Sequence, residues 1–143
     1  MSRSVDVNIL LYASDEGSEH HDVAKTLLAS LIDDGSVLYL AWTTLLAYLR
    51  IATHPRVFVS PLSQAEAEQN VDALLRAPSV RCISESDRFW SVYRSVSAST
   101  PVRGNLVPDV HLATLLRQHG IRRLYTNDRD FLKFDDLEVV NPF

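Results

Sequence analysis

Cysteine is nearly absent from this chain. Cys82 stands alone among 143 residues, so neither a disulfide framework nor a thiolate zinc cluster can be built within it. It lies in the apolar run Val80-Arg81-Cys82-Ile83 and reads as a small buried hydrophobe. Long hydrophobic runs are missing too, and none approaches the length of a membrane span. The opening Met1-Ser2-Arg3-Ser4 leads straight into Val5-Asp6-Val7-Asn8, too short and too polar for a secretory segment, so a soluble cytoplasmic protein is expected. Glycine is scarce, with four residues, and none of them forms a phosphate-cradling loop. No helical histidine pair carries the adjacent glutamate that a zinc hydrolase requires. An excess of positive charge is lacking as well. The formal net charge of −4 argues against a surface coated for generic nucleic-acid binding. It does not exclude a nuclease, because carboxylates gathered around a metal bias the total in that direction while grouped arginines grip a phosphate backbone.

What is present is enough for one core. At 46% hydrophobic residues, the chain is expected to form a single domain over residues 1–143 without disulfides or structural metal. Val5 to Tyr12 reads as a short strand turning into a helical segment, and Val23, Leu27, Leu28, Leu31 and Ile32 recur at helical spacing up to Gly35. Val37 to Ala41 suits a strand buried on both faces, with Thr43 or Thr44 capping a helix through Ile51 that Pro55 closes. Ser63 to Glu66 has capping-box spacing and opens a helix that stops at Pro78. A strand over Val80 to Ile83 follows, then a helix from Glu85 to Ser97 with Phe89, Trp90, Tyr93 and Val96 on one side. Pro108 stands in the first turn of a helix that runs to the glycine stop at Gly120. Strands over Arg123 to Thr126 and Leu137 to Val140 complete the pattern. The alternation predicts an α/β fold whose mainly parallel central sheet is flanked by helices.

Asp6, Asp109, Asp128 and Asp130 all stand where an apolar run ends or a helix begins. In such a sheet, ligands gather outside the carboxyl ends of the strands, so acids at these points converge. Converging carboxylates repel one another and call for a hard divalent cation, Mg²⁺ or Mn²⁺. The expectation is a metal-dependent enzyme acting on phosphates. Each acid has a second, structural reading. Asp6 suits an N-cap of the helical turn after the strand, and Asp109 gains from the positive end of its helix. Asp109 also continues the stripe of Leu112, Ala113 and Leu116, which aims it at the rim of the sheet. Asp128 or Asp130 suits a turn or cap before Phe131. Asp33, Asp34, Asp135 and Asp136 read as surface charge. Candidate phosphate grips are Arg50, His54 and Arg56, then Arg103, then Arg122, Arg123 and Arg129, each equally readable as solvated charge. An aspartyl-phosphate enzyme built on Asp6 is a rival that finds no diagnostic basic partner beside it.

Four blocks read in order, Asp6 to Ala13, Trp42 to Phe58, Gly104 to Ala113 and Thr126 to Phe131, resemble the PIN-domain toxins of the VapC family and span nearly the whole chain. The resemblance implies a PIN-like fold, a parallel sheet between helices with acids at its carboxyl edge holding Mg²⁺ or Mn²⁺. It implies a ribonuclease that cuts particular RNAs, often tRNA or ribosomal RNA, silenced by a cognate VapB antitoxin and usually dimeric. Carried over by motif, Asp6, Asp109 and Asp128 are metal ligands, Asp130 an auxiliary acid, and Asn8 and Thr126 polar supports. One departure stands out: Ala47 occupies the position where most PIN nucleases place a glutamate. Fewer fixed charges imply weaker metal binding. A degenerate module that binds RNA or a partner without cutting is therefore the alternative.

Overall fold

Every strand pairing in this protein is parallel, and the sheet order is β3-β2-β1-β4-β5. The computed structural model describes residues 2–143, so residue 1 of the expected domain lies outside them. The elements are β1 (Arg3–Val5), α1 (Val7–Ser14), α2 (His21–Asp33), β2 (Leu38–Ala41), α3 (Trp42–Ala52), α4 (Gln64–Arg76), β3 (Val80–Ile83), α5 (Phe89–Ser97), α6 (Leu106–Gln118), β4 (Arg123–Tyr125), a 3-10 turn (Arg129–Lys133) and β5 (Glu138–Val140). The chain builds outward from β1 through β2 to β3, then returns to the other side of β1 with β4 and β5. That reversal opens a crevice at the carboxyl ends of β1 and β4, the usual place for a ligand in an open α/β sheet.

Alternation along the strands divides the apolar residues between two cores. Leu38 and Leu40 of β2 pack with Ile9, Leu10, Leu31, Leu45, Tyr48 and Val71, whereas Ala41 and its partly buried neighbour Tyr39 face Val96, Val110, Leu116, Leu124 and Phe131. Helices α1 to α4 thus cover one face, and α5, α6 and the 3-10 turn cover the other. Tyr48 is buried without an orphaned hydroxyl, which lies 2.7 Å from Ser14 Oγ and accepts from Asn70 Nδ2 at 2.9 Å. No described helix is long and apolar enough to cross a membrane.

Several expectations need correction. The first strand begins at Arg3, ahead of the apolar run, and Arg3 is buried. Its guanidinium donates to Leu31 O at 2.7 Å, to Ser36 O at 3.2 Å and to the carboxylate of Asp34, so Asp34 is an anchor rather than idle surface charge. Asp136 is likewise paired, 3.0 Å from Arg117 Nε. Neither Thr43 nor Thr44 caps α3, because β2 runs straight into the helix through Ala41. The helix expected from Glu85 starts at Phe89, after Arg88 turns the chain with φ of 66°. On that helix Val96 is buried but Trp90 is 65% exposed. The capping box of Ser63 and Glu66 is present with both bonds formed.

Candidate metal centre

β1 and β4 lie in register with Val5 opposite Tyr125, so the residues after each strand emerge side by side. Asp6 follows β1 in extended conformation, and its Oδ1 accepts from Val7 N at 2.7 Å as the N-cap of α1. Thr126 follows β4, and its hydroxyl donates to Asp6 Oδ2 at 2.8 Å. Thr126 Oγ1 in turn accepts from Asn8 Nδ2 at 3.2 Å and from Asp128 N at 2.9 Å, so its hydrogen-bonding capacity is filled. This buried hydroxyl joins the start of α1 to the loop that carries Asp128. Asp128 Oδ1 then accepts from Asp130 N at 2.9 Å, which opens the 3-10 turn. The capping and turn readings of Asp6 and Asp128 therefore hold.

Asp109 enters from the opposite layer, in the first turn of α6. Carboxylate oxygens of Asp109, Asp128 and Asp130 lie within 4.8 Å of one another. Asp6 is not one of that group, although its charge acts on Asp109 and that of Asp128 acts on it. Burial pushes the Asp6 carboxyl above the ordinary 3.8, hydrogen bonds from Thr126 and Val7 pull it back, and the charge of Asp128 raises it further. For Asp109, burial and then the charges of Asp128, Asp6 and Asp130 drive the carboxyl up to about 7. The opposing charge at Asp109 comes from Lys133, whose Nζ lies 3.5 Å from Asp130 Oδ1. Negative charge thus exceeds positive charge at a set of hard oxygen donors, which fits Mg²⁺ or Mn²⁺ and no soft metal.

Ala47 lies on α3 against a groove of about 710 Å³ that also touches Pro108, next to Asp109, and α3 supplies no carboxylate to the centre. Of the candidate phosphate grips, only Arg129 adjoins the acids. Arg50, His54 and Arg56 are exposed at the end of α3 and in the turn beyond it, and Arg103 is exposed before α6. Arg123 is paired with Glu138 at 3.0 Å. Tyr12, Asn127 and Asn141, not among the expected site residues, join the same network. Asn127 N donates to Asn8 Oδ1 at 3.4 Å, its Nδ2 donates to Tyr12 Oη at 3.2 Å, and its Oδ1 accepts from Asn141 Nδ2 at 3.1 Å. The four-residue spacing of Asn8 and Tyr12 on one face of α1 was the available signal.

The family model described as PIN domain matches residues 4–137. Ribonuclease VapC48 of Mycobacterium tuberculosis is 41% identical over 143 residues, covering 100% of this chain and 99% of that protein. Ribonuclease VapC43 of the same organism is 34% identical over 138 residues, covering 96% and 93%. Among solved structures, VapBC2 from Rickettsia felis bound to a promoter DNA fragment aligns with a TM-score of 0.71 at 18% identity, over 99% of this chain and 98% of that one. M. tuberculosis VapC20, described as a Sarcin-Ricin loop cleaving toxin, aligns with a TM-score of 0.70 at 19% identity, over 92% and 93%. At these identities the structural likeness is one of fold.

Proposed function

This chain belongs to the PIN domain family and within it to the VapC ribonucleases, and from that premise we propose that it is a divalent-metal-dependent endoribonuclease, the toxin of a type II toxin–antitoxin pair. One observation carries the reading: Asp109 of α6 converges on Asp128 and Asp130 beyond β4, and the charge of the distant Asp6 reaches Asp109 as well. Asp6, Asp109 and Asp128 are the ligand set and Asp130 the auxiliary acid, with Thr126 and Asn8 orienting Asp6. Bound there, Mg²⁺ or Mn²⁺ would neutralise phosphate charge and lower the pKa of a water for in-line attack on phosphorus. The protein's own part is orientation. Thr126 and Val7 fix both oxygens of Asp6, while the bond from Asp130 N fixes one oxygen of Asp128. The elevated proton affinity of Asp109 means that a cation displaces a proton on binding.

The substrate class is tRNA or ribosomal RNA, held through phosphate contacts from Arg129 and, farther along the strand, from Arg50, His54, Arg56 and Arg103. Support comes from relatives named ribonucleases and from the description of VapC20 as a cutter of the Sarcin-Ricin loop. A VapB-type antitoxin is the silencing partner, since fold neighbours include VapBC assemblies. The protein acts as one domain in the cytoplasm and as a homodimer. Exposed Leu46, Trp90 and Val107 around the α3–α5–α6 groove supply apolar surface for pairing. Incubating antitoxin-free protein with cellular RNA, with and without chelator, and mapping the new ends is the test. Metal-dependent cuts at defined positions support the reading. Tight RNA binding without cleavage would instead favour the degenerate module that Ala47 raises.

A further inference from the structure

A cavity of about 370 Å³ opens between the loop after β4, the 3-10 turn and β5. It shares Thr126 and Asp128 with the acid centre, and its other walls come from Asn127, Arg129, Leu132, Val139 and Asn141. The wall residues fall into three chemical kinds. Leu132, 62% exposed, and the partly buried Val139 are apolar. Arg129 is an exposed guanidinium that ion-pairs with no acid among the described residues. Asn127 and Asn141 are amides held in fixed orientation. Asn127 Nδ2 is held by Tyr12 Oη at 3.2 Å, and Asn141 Oδ1 accepts from Phe143 N at 3.0 Å. The two side chains are bonded to each other at 3.1 Å. Tyr12 is held in turn by an edge-on contact with the Phe143 ring, centroids 5.3 Å apart.

After those bonds each amide keeps one N–H and one oxygen lone pair unused. A pair of oriented amides with spare donors and acceptors is what reading the edge of a base requires, because a freely rotating amide presents donor and acceptor interchangeably and discriminates nothing. The volume lies at the lower end of small-molecule pockets and suits one nucleotide. We propose that this cavity is a nucleotide subsite: it takes the base flanking the scissile phosphate, reads its edge through Asn127 and Asn141, covers its face with Leu132, and holds a neighbouring phosphate on Arg129. The inference rests on the ribonuclease reading and adds to it the residues that choose where RNA is cut. A peptide from an antitoxin is the competing occupant, but the pocket's unpaired cation and its continuity with the acid centre favour a phosphate-bearing strand.

Two measurements on the full chain test it. In the first, the side-chain amide resonances of Asn127 and Asn141 are followed during titration with AMP, CMP, GMP and UMP without metal. Both pairs should move with one nucleotide at least about threefold more than with the others, since an oriented pair of base-edge hydrogen bonds discriminates by about that much or more. In the second, a randomised short RNA is cleaved by wild type, Asn141→Ala and Arg129→Ala. Wild type should show a preference of about tenfold or more at one position beside the cut, flattened to about threefold or less by Asn141→Ala. Arg129→Ala should weaken binding to all sequences alike and lower the salt slope by about one. Unmoved amides, or a preference that survives Asn141→Ala in a protein that still melts normally, overturn the subsite. So does a variant that loses affinity for an antitoxin peptide alone. Absence of any cleavage by wild type would sink the ribonuclease reading instead, and the titration keeps the two failures apart.

Discussion

Neutralising Asp109 should make the metal-free protein more stable at pH 8. The carboxyl of Asp109 is raised from 3.8 to about 7, first by burial and then by Asp128, Asp6 and Asp130. Between those pH values the folded chain keeps a proton that the unfolded chain has released. Stability therefore falls as pH rises from about 4 to about 7, and the penalty is fully present above that. Taken whole, the gap corresponds to about 4 kcal/mol. Asp109 is only partly buried, and solvent screening reduces this to about 1.5–2 kcal/mol. Its place in the first turn of α6 returns about 0.5 kcal/mol through the helix dipole. Asp109→Asn should thus stabilise by about 1 kcal/mol at pH 8, or about 4 °C in melting temperature, and the gain should vanish near pH 4. Urea unfolding in chelator at several pH values reads it directly. Adding Mn²⁺ should reverse the ranking, because the ion stabilises only the protein that binds it. A variant less stable than wild type at pH 8 in chelator, or a difference independent of pH, would refute the electrostatic reasoning.

Asp6→Asn is nearly isosteric and retains an oxygen for Val7 N. It should leave the melting temperature at or above that of wild type while RNA cleavage falls by about 100-fold or more; a fully active variant removes Asp6 from the ligand set. Arg3→Ala abandons the carbonyls of Leu31 and Ser36 and should cost about 2–3 kcal/mol in urea unfolding. Because Arg3 holds the Asp34 carboxyl down at about 2, the ion pair contributes fully above pH 3.8 and is lost as pH falls towards 2, so the gap between variant and wild type should narrow in acid. A gap that widens in acid would contradict the pairing. Trp90→Glu, placing a charge where the side chain is 65% exposed, should convert the proposed homodimer to monomer in sedimentation without loss of helicity. An unchanged sedimentation coefficient would locate the pairing face elsewhere.

Local chemistry made much of the fold legible. Val37 to Ala41 is apolar on successive residues because β2 is covered on both faces, and the capping box of Ser63 and Glu66 fixes the start of α4 without help from distant residues. What the sequence concealed depends on partners far along the chain. Arg3 opens a buried strand because Asp34, 31 residues away, and the carbonyls of Leu31 and Ser36 meet its guanidinium. No local rule marks Arg88 for a left-handed turn, so sequence pattern alone starts α5 too early. At the site, the acids betrayed themselves by interrupting apolar patterns at element ends. The distances among their oxygens did not, and neither did the amide pair of Asn127 and Asn141, which exists only once β5 lies beside β4.

Carboxylates from opposite layers of the sheet are proposed to hold a divalent cation between them. A crystal soaked in Mn²⁺ and measured for anomalous scattering tests it most directly. A peak should appear in contact with Asp109 and Asp128, with Asp6 or Asp130 contributing directly or through water, and should be lost in Asp109→Asn. An empty crevice at millimolar Mn²⁺, or a peak bound elsewhere on the molecule, would contradict it.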